Sequence, residues 1–210
     1  MLFEEQISRK PDLYPWTKPF IETIWSGFWT PDEFNFTSDY SQFKSEMTDQ
    51  ERQVLVRALS AIGQIEVAVK TFWANLGDNL PKYSKKAFKD ERKQYIYAIT
   101  LFTLFVENVS LFSQFYIILH MNKNKAILKD TAQQVKYTRN EEMLHAQCGI
   151  KIINTMREEY PELFDAELEA RIAEEIEAAI GYESNVIRWI MGDYEELGLS
   201  SDILIEFIKK

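Results

Sequence analysis

The sequence predicts an all-α protein, and three observations support this prediction. Only 7 Gly and 6 Pro occur in 210 residues, too few for a fold with many strands and turns. Glu, Leu, Ile, Ala and Lys, which favour helices, dominate the composition. Long stretches repeat apolar residues at helical spacing. The length predicts one domain, residues 1–210, with a sizeable core.

The bulk composition excludes several functions and locations. A net charge of −9 argues against a nucleic-acid surface and against anionic membranes, since both are bound by basic patches. The single cysteine, Cys148, cannot form a disulfide within the chain, which fits a reducing, cytoplasmic compartment. Residues 1–10 lack the apolar core of a secretory signal.

The chain divides into an aromatic-rich N-terminal arm, residues 1–47, and a helical bundle, residues 48–210. Thr48-x-x-Glu51 is a capping box that opens the first long helix, and the stop signal lies near Gly77-Asp78. The apolar positions of this helix follow the helical period: Val54, Leu55, Ala58, Leu59, Ile62, Ile65, Val69 and Trp73.

The second long helix is predicted at residues 94–121, after a charged stretch at 81–93 that is a loop or an exposed helix start. It is apolar enough to suggest a membrane span. However, Glu107, Asn108 and Gln114 lie in its middle, and an unpaired carboxylate in lipid is expensive. We therefore favour a buried central helix.

Three further helices are predicted. The third covers residues 129–159 and closes at Tyr160-Pro161, because proline disfavours the helical state in the residue before it. The fourth covers residues 165–191 and has Glu near its start, where the helix dipole favours acids. Residues 200–210 begin another helix that stops without a cap, which suggests that the chain ends early.

Two carboxylates fall on apolar helix faces. Glu66 shares its face with Ile62, Val69 and Trp73, and Glu107 lies in the most apolar segment. Glu66 alone has a bland explanation, such as a salt bridge or a side chain that reaches solvent, whereas Glu107 is harder to explain in this way because no basic residue lies near it in sequence. Burial of two ionised carboxylates costs several kcal/mol or more unless they have partners.

The third helix offers such a partner in Glu142-x-x-His145, which places a carboxylate and an imidazole on one face. By itself this motif is weak, because such pairs arise often by chance on charged helices. Together with Glu66 and Glu107 it matches the ligand types of ferritin-like di-metal bundles, which combine single Glu residues with Glu-x-x-His motifs. Oxygen and imidazole ligands suit iron or manganese.

From Tyr14 to Phe207, the sequence resembles the class I ribonucleotide reductase small (beta, radical-generating) subunit. The metal-ligand set Glu66, Glu107, Glu142 and His145 occurs in the family's order. Three separate segments agree with family-type sequence: Gly27-Phe28-Trp29-Thr30-Pro31-Asp32-Glu33-Phe34, Thr71-Phe72-Trp73-Ala74-Asn75-Leu76 and Phe105-Val106-Glu107-Asn108-Val109-Ser110-Leu111-Phe112.

The resemblance implies a ferritin-like fold and an oxidoreductase function. Such subunits use a di-iron or manganese centre and oxygen to make a radical. They pass the oxidising equivalent to a large (alpha) subunit that makes deoxyribonucleotides, and they form homodimers. Trp29 matches the tryptophan of the transfer route, although it is equally explained by ordinary packing. Glu141 stands where an Asp often links the metal-bound histidine to that tryptophan.

The chain also departs from the family, so the predicted bundle is incomplete. A family helix with a second Glu-x-x-His and the radical tyrosine is missing between Glu66 and Glu107. Only two histidines exist, and His120 is predicted to be an exposed helix-end residue. No radical role can be assigned to Tyr95 or Tyr97. The family's C-terminal tail, which would follow the position of Lys210, is also missing, so the resemblance predicts a truncated C-terminus.

Four protein ligands are too few for two metal ions without many waters. The alternative function is therefore a non-catalytic remnant, or a split-gene piece, that keeps the helical fold. A related di-iron oxidase or ferritin fits the carboxylates, but it does not fit the Trp29 segment.

Overall fold

A computed structural model describes residues 1–8, 10–76, 86–196 and 198–210 of the chain. Within these ranges the protein is helical and contains no strand beyond an isolated bridge between Glu196 and Leu199. The all-α prediction is confirmed. The helices are α1 Thr17–Ser26, α2 Thr37–Ser45, α3 Asp49–Ala74, α4 Glu91–Leu101, α5 Phe112–Lys125, α6 Lys129–Glu159, α7 Ala166–Met191 and α8 Ser201–Ile208, with short 3-10 turns at Pro31–Glu33 and Pro161–Leu163.

Most helix ends lie where the sequence predicts them. The Thr48 capping box opens α3: the hydroxyl of Thr48 accepts from the Glu51 N–H at 3.3 Å, and the Glu51 carboxylate accepts from the Thr48 N–H at 2.8 Å. Asp165 caps α7, and α6 has the predicted bounds. The predicted stop at Gly77-Asp78 and the stretch Pro81–Lys85 lie outside the described residues.

The central helix is longer than predicted and is interrupted. Instead of one helix at 94–121, a π-helical segment at Phe102–Ser110 joins α4 to α5. A π-helix is a wider turn with i→i+5 hydrogen bonds, and it has no compositional signature. The run Glu91–Lys125 is long and apolar enough to cross a membrane, but 56% of its most apolar window is buried inside the protein. This favours the prediction of a core helix.

Two clusters of buried apolar side chains form the core. The first contains residues of α3, α5, α7 and α8, and the second contains residues of α4 and of parts of α3 and α6. A buried polar contact ties α5 to α7: Ser113 Oγ donates to Glu183 Oε1 at 2.7 Å, and Gln114 Nε2 donates to the same oxygen at 3.2 Å. The π segment contributes Phe102 to the second cluster and packs against α6.

The N-terminal arm lies partly on this bundle. Helix α1 has no buried residue, whereas the buried Asp39 of α2 accepts from the N–H of Thr131 at 2.7 Å and thereby caps the start of α6. At the other end of α6, the Tyr14 hydroxyl donates a hydrogen bond of 2.8 Å to Glu159 Oε1. The arm therefore contacts both ends of the helix that carries the Glu-x-x-His motif.

Candidate metal centre

Three side chains meet between the π segment and α6. His145 Nδ1 lies 3.4 Å from Glu142 Oε2 and 3.6 Å from Glu107 Oε2. One donor atom from each residue lies within 4.8 Å of the other two. Two carboxylates and one imidazole at such spacing are a ligand set that iron or manganese accepts.

The carboxylates of the centre are buried, and the three side chains interact electrostatically. Glu107 is 0% exposed and Glu142 is 2% exposed, while the side chain of His145 keeps 31% exposure. Burial alone would lower the pKa of His145, but the nearby Glu107 and Glu142 carboxylates outweigh it and raise that pKa to about 10. Burial and the neighbouring carboxylate raise the pKa of Glu142. The two carboxylates therefore favour a positive charge at the position of the His145 ring.

The two oxygens of Glu107 differ in their partners. Oε1 accepts a hydrogen bond of 2.8 Å from the indole Nε1 of Trp73 on α3. Oε2 is buried and accepts no hydrogen bond, but it faces His145 Nδ1 at the ion-pair distance of 3.6 Å. A buried carboxylate oxygen without a hydrogen bond is costly, and a cation bound by Glu107, Glu142 and His145 would coordinate it directly. The residues present therefore fit a metal ion.

A close contact between α6 and the π segment sets the distance from Glu142 and His145 to Glu107. Gly149 follows His145 by one turn on α6, and a Cβ built there would lie 2.2 Å from Oγ1 of Thr103. Thr103 in turn precedes Glu107 on the π segment, and its carbonyl accepts from Asn108 Nδ2 at 2.6 Å. The missing side chain of Gly149 is what lets α6 approach Glu107 this closely.

Glu66, the fourth predicted ligand, is half-buried on α3 and is not part of the three-residue group. It lies near enough to respond to the others: burial raises its pKa, His145 lowers it, and Glu107 and Glu141 raise it further. Its predicted place near the site is supported by these interactions, while its role as a ligand stays a prediction.

Trp29 and Glu141 line one cavity of about 600 Å³ between α1 and α6, together with His145. The Trp29 ring packs on Tyr137 at 6.2 Å and on Phe34 at 5.4 Å, but its Nε1 is buried without a hydrogen-bond partner. No hydrogen bond joins Trp29 Nε1 to Glu141 here, and the transfer role of both residues stays a prediction. Both residues nevertheless lie beside the centre.

Two further residues refine the sequence-based picture. His120, predicted to be exposed, is half-buried on α5 and stacks on Tyr116 with ring centroids 5.8 Å apart. Sequence reasoning misses Trp73, which lies seven residues after Glu66 on the same helical face. That spacing is the signal that could find it, but its contact with Glu107 depends on how α3 packs against the π segment.

The described helices and the Glu–Glu–His group define a ferritin-like helical bundle with a carboxylate and histidine site that could hold a metal. The model of the family "Ribonucleotide reductase, small chain" matches residues 7–90 and 81–210. The chain therefore belongs to the ribonucleotide reductase small-chain family, a family of oxidoreductase subunits. The two matched segments overlap between α3 and α4, where the second Glu-x-x-His is absent from the sequence.

Among curated proteins, the chain is 27% identical over 116 residues to the ribonucleoside-diphosphate reductase subunit beta of Chlamydia pneumoniae. The match covers 55% of this chain and 33% of that protein. The chain thus spans about a third of the length of the curated relative that it matches.

Solved structures agree on the fold. The ribonucleotide reductase R2 subunit from Clostridium botulinum superimposes with a TM-score of 0.79 at 17% identity, over 93% of this chain and 78% of that one. An R2-like ligand-binding oxidase with a Mn/Fe cofactor gives 0.68 at 17% identity, over 97% and 91% of the two chains. At such identities the likeness concerns the fold alone.

Proposed function

We propose that this chain is the beta subunit of a ribonucleoside-diphosphate reductase, which binds iron or manganese at Glu107, Glu142 and His145 with Glu66 beside them. The observation that carries the proposal is the convergence of one ligand atom each from the buried Glu107 and Glu142 and from His145 within 4.8 Å of one another. A bound iron or manganese ion would supply one-electron chemistry with oxygen. The protein supplies the ligands, excludes bulk water, and holds the protons that leave when a metal binds.

We place Trp29 and Glu141 on the radical-transfer route toward the large (alpha) subunit. Both residues line the cavity that reaches His145. Glu141 shares the wall of this cavity with both Trp29 and His145, so in this proposal its carboxylate mediates between them. In this proposal the chain also forms a homodimer, works in the cytoplasm, and binds neither nucleic acid nor membrane, in keeping with its net charge of −9.

A second candidate function rests on one specific observation. The whole sequence contains only two histidines, and one of them, His120, lies on α5 away from the group of three ligands. A second Glu-x-x-His motif like that of di-metal bundles is therefore absent. This favours a non-catalytic remnant, or one piece of a split protein, as the alternative to an active subunit.

The two functions are separated by a reconstitution experiment. The purified chain is loaded anaerobically with Fe²⁺ or Mn²⁺, its metal content is measured, and it is exposed to oxygen with electron paramagnetic resonance as the readout. It is then mixed with the matching large subunit in a ribonucleotide reduction assay. Bound metal, a radical signal and product formation support the active subunit. Metal-free protein without radical or product refutes it and supports the remnant.

A further inference from the structure

We propose that Trp73 is a positioning residue of the metal centre. Its indole N–H fixes one oxygen of Glu107, so that the other oxygen faces Glu142 and His145. This inference rests on the proposed metal-binding function and assigns a task to a residue outside the ligand set.

The hydrogen bond is well suited to this task. Trp73 Nε1 lies 2.8 Å from Glu107 Oε1, and an indole donates a hydrogen bond but accepts none. This hydrogen bond therefore favours the ionised carboxylate of Glu107. The ionised carboxylate is also the form that binds a cation. With Oε1 occupied, Oε2 remains, and this oxygen lies 3.6 Å from His145 Nδ1.

The indole is itself held by its surroundings. Its ring meets Phe102 edge-on, with centroids 5.9 Å apart and planes at 85°, and Phe72 at 5.5 Å and 84°. The same ring lies 5.9 Å from the imidazole of His145. Trp73 thus contacts two of the three ligands from a third helix, α3, and connects that helix to a site otherwise built from the π segment and α6.

Without the Trp73 N–H, the carboxylate of Glu107 should no longer be held in one orientation. The terminal torsion of a glutamate side chain is broad and roughly two-fold, so an unbound carboxylate can turn either oxygen away from the site. Groups that orient metal ligands in this way typically contribute about 10–100-fold to metal affinity. We expect a weakening of that size when the donor is removed from Trp73.

The test is a titration of the full chain with Mn²⁺ and with Co²⁺ under anaerobic conditions. Trp73→Phe keeps an aromatic ring and removes the N–H. Trp189→Phe is the matched control, because Trp189 is 52% exposed on α7 and its ring packs beside Arg57. We expect Kd to rise about 10–100-fold for Trp73→Phe, the visible Co²⁺ bands to change, and both properties to stay at the wild-type values for Trp189→Phe.

A second substitution guards against simple misfolding. Incorporation of benzothienylalanine at position 73 keeps the size of the indole and replaces only the N–H by sulfur. Weaker metal binding with unchanged metal-free thermal unfolding supports the inference. Wild-type affinity in this variant, or in a folded Trp73→Phe variant, overturns it. A wild-type chain that binds neither metal overturns the proposed function and this inference together.

Discussion

Replacing Gly149 by alanine should destabilise this protein, although the same change usually stabilises a helix. A Cβ at this position would lie 2.2 Å from Thr103 Oγ1, 2.7 Å from Cγ2 and 3.0 Å from Cβ, far inside the 3.5–4.0 Å of favourable carbon contacts. Thr103 is β-branched and 0% exposed, so its side chain has no free space to move into.

The size of the effect follows from two opposing contributions. Overpacking in a core costs about 1–3 kcal/mol, and the contact at 2.2 Å places Gly149 in the upper part of that range. Alanine gains about 1 kcal/mol over glycine in a helix interior. We therefore expect a net loss of about 1–2 kcal/mol, or a melting temperature lower by about 2–8 °C for a chain of this length.

Chemical unfolding of the metal-free protein measures this difference, and the chain offers a control. Gly181 lies inside α7, and a Cβ there would meet nothing within 4 Å. Gly181→Ala should therefore stabilise the protein by about 0.5–1 kcal/mol. Adding Thr103→Ala to Gly149→Ala should recover most of the loss, with a coupling energy of about 1 kcal/mol or more. If Gly149→Ala stabilises as much as Gly181→Ala, the close approach of α6 to the π segment is wrong.

Three further predictions concern protons and charges. The pKa of His145 is raised from 6.5 to about 10, so the protonated imidazole stabilises the metal-free fold below pH 6.5. This contribution is lost as pH rises toward 10. Melting temperatures measured with a chelator should therefore fall over this pH range. The rise in melting temperature on adding Mn²⁺ should be larger at pH 9 than at pH 6, and an equal rise at both pH values contradicts this role of the His145 proton. Lys125→Met leaves the fully buried Glu51 without its ion pair and should cost about 3 kcal/mol at pH 7. Because hydrogen bonds from Lys125 and Thr48 outweigh burial and lower the pKa of Glu51 from 4.5, this cost should shrink as unfolding is measured below pH 4.5; a pH-independent cost refutes the pairing. Asp39→Ala removes the cap of α6 and should cost about 0.5–2 kcal/mol, with Asp39→Asn as the milder control; unchanged unfolding would exclude a capping role.

The sequence predicts most of the fold because its signals are local. Thr48 and Glu51 define the start of α3 within four residues, and Pro161 closes α6 by its covalent geometry. The convergence of Glu107, Glu142 and His145 is also predictable, because a buried carboxylate needs a partner and Glu107 has no basic residue near it in sequence.

The remaining features arise from packing between distant segments. The π segment is apolar in the way an α-helix would be, so no periodicity distinguishes the two. The bond from Trp73 to Glu107 joins residues 34 positions apart, and it exists only after α3 packs on the central helix. Glu66 lies on an apolar stripe yet is only half-buried, since a stripe predicts which side faces inward and not what covers it.

The wide turn at Phe102–Ser110 also has a consequence downstream of the metal centre. Each residue in a π-helix turns through a smaller angle than in an α-helix, so the segment changes the rotational phase with which α5 begins. Ser113 and Gln114, which both donate hydrogen bonds to Glu183 on α7, follow this segment within four residues. The change of pitch therefore shifts the direction of these two side chains relative to Glu107, and the same long run presents polar groups to α6 and to α7.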